Sequence, residues 1–303
     1  MGEVTAFSPG HITGLFQICD QPTDLLFKGS RGAGVSISNG VTTKVSLKSS
    51  PKSSFEIRIN EKPTNSAKVS EDTINAFLSR VGEDYEILVD HEVTVPIGSG
   101  FGSSGAGALS LALALNEALK IGLSRMESAQ IAHISEVKCK TGLGTVIAET
   151  FGGVEIRVAP GAPGIGEIEP IPLDNDYAVV CLNFGNLSTK KILSDRKMRY
   201  RINKSGKKLV DRLTANLNPT DFMALSRSFA EELGLISQRV RKVLEETDNL
   251  GVTCSMAMLG ETIFSLIKRD ETEQILEIFQ RHAPSKNSAF ITEIDFKGAR
   301  LID

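Results

Sequence analysis

Val95-Pro-Ile-Gly-Ser-Gly-Phe-Gly-Ser-Ser-Gly-Ala-Gly107 decides how the rest of the sequence is read. It follows a strand-like run, Tyr85 to Val95, and enters an alanine- and leucine-rich helical stretch, Ala108 to Lys120. Five of the ten residues from Gly98 to Gly107 are glycine. Each glycine costs backbone entropy on folding, so this density is expected where backbone N–H groups must approach a ligand with no Cβ in the way. Free amides at a helix N-terminus, backed by the positive end of the helix dipole, suit an anion, and phosphate is the natural guest. A flexible linker would not abut a helix this apolar.

Three phosphate-loop or elbow chemistries fail on this stretch. Walker A needs a lysine that follows neither Gly105 nor Gly107. The dinucleotide fingerprint is formally met by Gly100, Gly102 and Gly105, but it requires a second strand and an acidic residue, and a second helix follows instead. The hydrolase elbow G-x-S-x-G fails because Ala106 stands at its last glycine. What remains, Pro96-x-x-x-Gly-x-Gly-Ser-Ser-Gly-Ala-Gly107 between a strand and a buried helix, resembles the phosphate loop of the GHMP kinases.

The chain has 303 residues, which suggests about two domains. Lys+Arg 34 against Asp+Glu 37 leaves a net charge of -3, and no basic and aromatic cluster reads as a nucleic-acid footprint. The longest apolar stretch, Ala106 to Leu115, is too short to cross a bilayer and lacks signal-peptide flanks. Cys19, Cys139, Cys181 and Cys254 are scattered, which indicates neither a disulfide framework nor zinc and fits a reducing cytoplasm.

Along the first half, Glu3 to Ser8 reads as a strand, Pro9-Gly10 as a turn and Lys28 to Gly34 as a glycine-rich turn. Asn39-Gly40 between Val35–Ser38 and Val41–Leu47 carries a strong hairpin signal. Val69 to Arg80 is an amphipathic helix stopped by Gly82. Ser124-Arg-Met-Glu127 is a capping box. The helix it opens runs to about Lys138 and sets His133 and Glu136 at i,i+3 on one stripe of small residues, a poor place for a merely solvated glutamate. A glycine-containing turn from Thr141 and a strand through Arg157 follow.

Pro160–Gly164 and Pro170–Pro172 mark a boundary loop, giving domains over 1–160 and 161–303. The second half reads as a strand (Tyr177–Leu182), a helix from Asn218-Pro219 to Gly234, and a helix over Ser237–Glu246. A hairpin around Gly260-Glu261, a helix over Glu271–Arg281 and a strand over Ala289–Asp295 complete it. Both halves are α+β.

Within the GHMP kinases the chain resembles the archaeal-type pantoate kinases. The likeness rests on His11–Phe16, Gly29–Val35, Gly100–Gly107, Thr141–Gly144, Gly152-Gly153 followed by Arg157, Pro160–Pro163, Ser188–Leu193 and Ser255–Gly260. It implies a two-domain GHMP kinase-like α+β fold with the active site between the domains, and ATP-dependent phosphorylation of pantoate for coenzyme A synthesis. By position, Pro96, Gly98, Gly100, Gly102, Ser103, Ser104, Gly105, Ala106 and Gly107 would bind ATP, and Ser104 and Glu136 would hold Mg²⁺. Ser30, Arg31, His133 and Arg157 would bind the acceptor. His11 stands where several GHMP members keep a lysine, and Thr145 where the pantoate kinases commonly place an aspartate base. Ser104, Glu136 and Thr145 are the catalytic candidates.

Residue chemistry agrees with the resemblance. Arginine pairs bidentately with the carboxylate of a hydroxy acid, and Mg²⁺ favours a carboxylate, a hydroxyl and phosphate oxygens. With Thr145 at the base position, either no base operates or His133 supplies one. Kinases of the mevalonate or homoserine type, and a non-catalytic nucleotide-binding protein, stay open as alternatives. The expected partner is a small molecule, with no nucleic acid and no membrane, and a homodimer stays open.

Overall fold

Two long antiparallel strands, β1 (Glu3–Cys19) and β2 (Gly29–Ser49), pair almost from end to end. The computed structural model describes residues 2–174, 176–186 and 195–302. β3 (Ser54–Ile59), β4 (Lys62–Pro63) and β5 (Tyr85–Val93) extend the first sheet in the order β1-β2-β5-β3-β4. β6 (Val154–Ala159) pairs with the N-terminal part of β2, and β7 (Glu167–Pro170) pairs with β6. A layer of helices, α1 (Lys68–Leu78), α2 (Ser103–Ala118), α3 (Arg125–Cys139) and α4 (Thr145–Phe151), lies against this sheet. α2 is buried continuously from Gly105 to Leu115, which explains why its sequence is apolar on every face.

β8 (Tyr177–Asn186) opens the second sheet, followed by α5 (Arg196–Ala215), α6 (Pro219–Leu233) and α7 (Gln238–Asp248). β9 (Ser255–Met256), β10 (Gly260–Lys268), α8 (Thr272–His282) and β11 (Ala289–Thr292) complete it in the order β11-β8-β10-β9. The chain then returns to the first sheet, where β12 (Arg300–Ile302) pairs with β1. Local signals set several of these ends. Ser124 and Glu127 form the capping box of α3, Asn218 caps α6 ahead of Pro219, and Gly234 ends α6 with φ of 66°. One apolar core, with Phe16, Phe222, Phe229 and Phe264, fills the space between the β1/β2 sheet, α5, α6 and the second sheet.

Three turn expectations are corrected. Asn39-Gly40 makes no hairpin, and residues 29–49 form one strand. Neither residue takes the positive φ that a type I′ turn requires. They form a bulge opposite Pro9-Gly10, where the register jumps from Pro9↔Gly40 to Gly10↔Ile37. Pro9-Gly10 is likewise inside β1 rather than a turn. Gly29 to Gly34 lies in β2, its glycines serving close approach: a Cβ on Gly34 would overlap the His11 imidazole, and one on Gly32 would sit 2.7 Å from Arg157 Nη2.

Candidate active site

Residues 98–102 form a loop in which Gly98, Gly100 and Gly102 have φ of 75°, 90° and 69°, conformations that side chains rarely adopt. α2 starts at Ser103 with Gly102 as its N-cap and no side-chain cap, which leaves the first-turn amides free for a ligand. Both sheets pin the loop. His11 N donates to Phe101 O at 2.9 Å, and Thr262 Oγ1 donates to Ser99 O at 2.8 Å.

A hollow opens on each side of the loop. The first, a polar cleft, is bounded by Thr13 and Phe16 of β1, Ser30 of β2, Thr141 to Thr145, and Met258-Leu259 of the second sheet. The second is an apolar cavity of about 340 Å³ lined by Val41, Ile59, Val69, Val93 and Ile97, with His91 among them. Ser103, Ser104 and Thr141 line both.

Glu136 sits at this seam. It is 2% exposed, and its Oε1 accepts from Ser104 Oγ at 2.5 Å and Thr141 Oγ1 at 2.9 Å. Burial raises its carboxyl above the usual range, opposed by those two hydroxyl donors. A Cβ on Gly142 would overlap Glu136 Oε2, so glycine at the turn after α3 leaves the carboxylate its place. Glu149 of α4 is fully buried, and neither of its oxygens has a hydrogen-bond partner among the described residues. Burial, and then the nearby charge of Glu136, push its carboxyl well above the ordinary range. Only glycine fits over it at position 102, where a Cβ would stand 2.5 Å from Glu149 Oε1.

Behind the cleft wall formed by Ser30 and Gly144, Arg157 is 1% exposed and ion-paired with Glu155, itself 2% exposed. Burial lowers its guanidinium pKa, and Glu155 raises it. Its Nε–H has no partner among the described residues and lies behind Gly144, whose Cβ would stand 3.0 Å from Nε and overlap Ser30 Oγ. Ser30 and Arg157 thus meet at one point. Thr145 lines the cleft as the first residue of α4.

The other acceptor candidates point elsewhere. His133 Nε2 donates to Leu25 O at 3.2 Å and Lys28 O at 3.0 Å, tying α3 to the segment before β2. Burial lowers its pKa, and the two carbonyls partly restore it. Arg31 donates to Val158 O and Gln17 and pairs with Asp211 of α5 at 2.8 Å. Of the loop candidates, Gly98, Gly100, Gly102, Ser103 and Ser104 face the cleft, Gly107 faces the cavity, Gly105 and Ala106 are buried in the first turn of α2, and Pro96 is half-buried ahead of the loop. Ser188–Leu193 falls outside the described residues.

Sequence reasoning passed over Thr13, Glu149 and Glu155. Glu155 could have been found by strand alternation, which places it on the same face as Arg157. Glu149 could have been found one helical turn beyond Thr145, had α4 been recognised.

Residues 68–153 match the family described as GHMP kinases N terminal domain. The pantoate kinase of Methanocaldococcus jannaschii is 38% identical over 274 residues, 90% of this chain and 96% of the relative. This chain belongs to the pantoate kinase family. Another member, from Thermococcus kodakarensis, is 35% identical over 283 residues, 91% of each chain. A solved structure described as "Phosphotransferase related to CoA biosynthesis pathway" superposes with a TM-score of 0.90 at 31% identity, covering 99% of both chains. The α+β GHMP kinase fold expected from the sequence is the fold of this pantoate kinase family member. Among the described residues no helix is long and apolar enough to cross a membrane.

Proposed function

We propose that this chain transfers the γ-phosphoryl group of ATP to the primary hydroxyl of pantoate, giving 4-phosphopantoate for coenzyme A synthesis. The observation that carries this reading is the buried Arg157 with its unpartnered Nε–H beside Ser30. A guanidinium donor with no partner among the described residues, just behind a hydroxyl that lines the cleft, suits a carboxylate, and pantoate has both the carboxylate and the acceptor hydroxyl. The phosphates lie on the free amides of the loop and the α2 N-terminus. The apolar cavity on the far side of Ser103 and Ser104 takes the nucleoside, which leaves the γ-phosphate facing the cleft.

The seam residues fit Mg²⁺. Ser104 and Glu136 are already within hydrogen-bonding reach of one another, a hydroxyl beside a carboxylate, the donors this hard cation takes together with phosphate oxygens. When bound it would neutralise charge on the transferring phosphates. Transfer itself depends on holding the acceptor oxygen in line with the γ-phosphorus, the task of Arg157, Ser30 and the loop. The cytoplasm is the proposed location, in keeping with four scattered cysteines that form no disulfide framework.

A panel of pantoate, mevalonate and homoserine with Mg-ATP, read by ADP release and ³¹P NMR of the product, tests this reading. Pantoate is expected to dominate kcat/KM. Faster turnover of either rival would overturn the acceptor assignment.

A further inference from the structure

The cleft carries a second array of polar groups that phosphate binding does not require. Thr13 Oγ1 lies 3.3 Å from His11 Nδ1, and His11 Nε2 lies 3.2 Å from both Glu155 oxygens. The imidazole and the carboxylate are withdrawn from solvent, with side-chain exposures of 0% and 2%, while Thr13 is half-buried at the cleft wall. A carboxylate only accepts, so Nε2 carries the hydrogen that meets Glu155, and Nδ1 is left to accept from the Thr13 hydroxyl. Hydroxyl, imidazole and carboxylate thus stand in the order that moves a proton inward from the cleft. Gly34 leaves β2 open for the ring, since a Cβ there would overlap it.

We propose that Thr13, His11 and Glu155 form a proton relay that accepts the proton of the substrate hydroxyl, in place of a carboxylate at position 145. The proposal rests on the kinase reading above. The acceptor oxygen forms its bond to the γ-phosphorus as the bond from that phosphorus to the β,γ-bridging oxygen breaks, the electron pair leaving with ADP. The acceptor proton passes to Thr13 Oγ1 while the proton of Thr13 passes to His11 Nδ1. Nε2–H stays on Glu155, whose charge stabilises the imidazolium. The proton returns to solvent along the same path once the products leave, so ATP and the alcohol give ADP, the phosphate ester and one proton.

The alternative is placed less well. His133 is bound through Nε2 to two backbone carbonyls and does not line the cleft. The titratable and charged groups around His11 are Glu155 and Arg157 from β6 and, across Gly102 from its backbone, Glu149 of α4, whose carboxyl burial pushes well above the ordinary range. β2 contributes only glycine at this point.

The test is the pH profile of kcat for pantoate with the full chain. The unaltered enzyme should lose activity through a limb on the acid side, where a protonated imidazole can no longer accept the proton from Thr13. Thr13→Val should lower kcat by roughly 10² or more and flatten that limb, with pantoate KM little changed. Thr13→Ser should recover both rate and limb, His11→Asn should match Thr13→Val, and Glu155→Gln should move the limb to lower pH by removing the anion that favours the imidazolium. Thr13→Val at near-normal kcat with the limb intact, or a loss confined to KM, overturns the relay while leaving the pantoate reading standing. Should His11→Asn fail to fold, the Thr13 pair decides alone. If the unaltered chain uses a different acceptor, the pantoate reading fails and the same variants are judged on that acceptor. No turnover of any acceptor overturns both.

Discussion

The two hollows beside the glycine-rich loop each keep a buried histidine, and the contrast between them shows what the second ring nitrogen decides. On the cavity side His91 Nδ1 meets Thr43 Oγ1 at 2.7 Å and Nε2 meets Ser70 Oγ at 3.1 Å, while Thr43 reaches on to Ser110 of α2. Hydroxyls solvate a neutral ring without favouring a charged one. Burial therefore drives the His91 pKa down to about 4, and the ring serves as a joint between β5, β2, α1 and α2. On the cleft side the same residue type, equally buried, faces a carboxylate held by Arg157. That side has charge to use.

The largest test of this contrast is Arg157→Ala. Removing one partner of a buried ion pair typically costs about 3 to 5 kcal/mol, because Glu155 would be left as an uncompensated buried charge. Urea unfolding should register that loss, and pantoate KM should rise steeply. Arg157→Lys keeps charge but not the fork, and should hold more stability than affinity. An unchanged pantoate KM would make the guanidinium purely structural and erase the difference between the hollows.

Glu136→Gln strikes the seam that both hollows share. Losing its charge should reduce kcat by roughly 10² or more, about 3 to 4 kcal/mol of positioned electrostatic stabilisation. Direct titration with Mn²⁺ in the presence of an ATP analogue should show weaker cation binding. Near-normal kcat at saturating Mg²⁺ would argue against the ligand role.

A third measurement isolates the cavity side. The folded His91 pKa of about 4 lies below the unfolded value near 6.5, so the stability tied to its neutral form is complete above about pH 6.5 and is lost as the pH falls towards 4. The loss amounts to about 3 kcal/mol. His91→Asn should flatten that part of the profile, with little effect on the kcat limb. An identical acid slope in the variant would show that His91 is not the group responsible.

The smallest effect belongs to Glu149→Gln. An acid whose pKa is raised in the folded state destabilises the fold as the pH climbs above its unfolded value, so the neutral amide should help more at pH 8 than at pH 5. Thermal unfolding at both pH values reads this, and kcat should change little. A collapse of kcat would bring Glu149 into the chemistry and redraw the cleft side.

Much of the candidate site was legible because its parts are local. Glu136 was singled out from its place on a capped helix, and the loop from its glycines, each set by neighbours within a few residues. The same logic could not show what His133 meets. Its i,i+3 spacing to Glu136 is real, but sharing a helix stripe does not fix what lies opposite, and the backbone at Leu25 and Lys28 lies opposite His133. The Asn39-Gly40 signal failed for a related reason, since a turn preference is weak against a pairing that runs from Glu3 to Cys19 along one partner strand.

By itself the sequence determined the glycine-rich loop, the helix it feeds, the caps at Ser124 and Asn218, and the placement of a buried glutamate one layer away. These follow from φ preference, capping and helical period, all of which act over a handful of residues. Tertiary structure alone decided which ionisable groups share a site. His11 and Glu155 are 144 residues apart and meet only because β1 and β6 flank β2, whose glycines at 32 and 34 leave room for the Arg157 and His11 side chains. Electrostatic character depends on distance and burial in the folded chain, so the same histidine became a neutral joint at position 91 and the neighbour of a paired carboxylate at position 11.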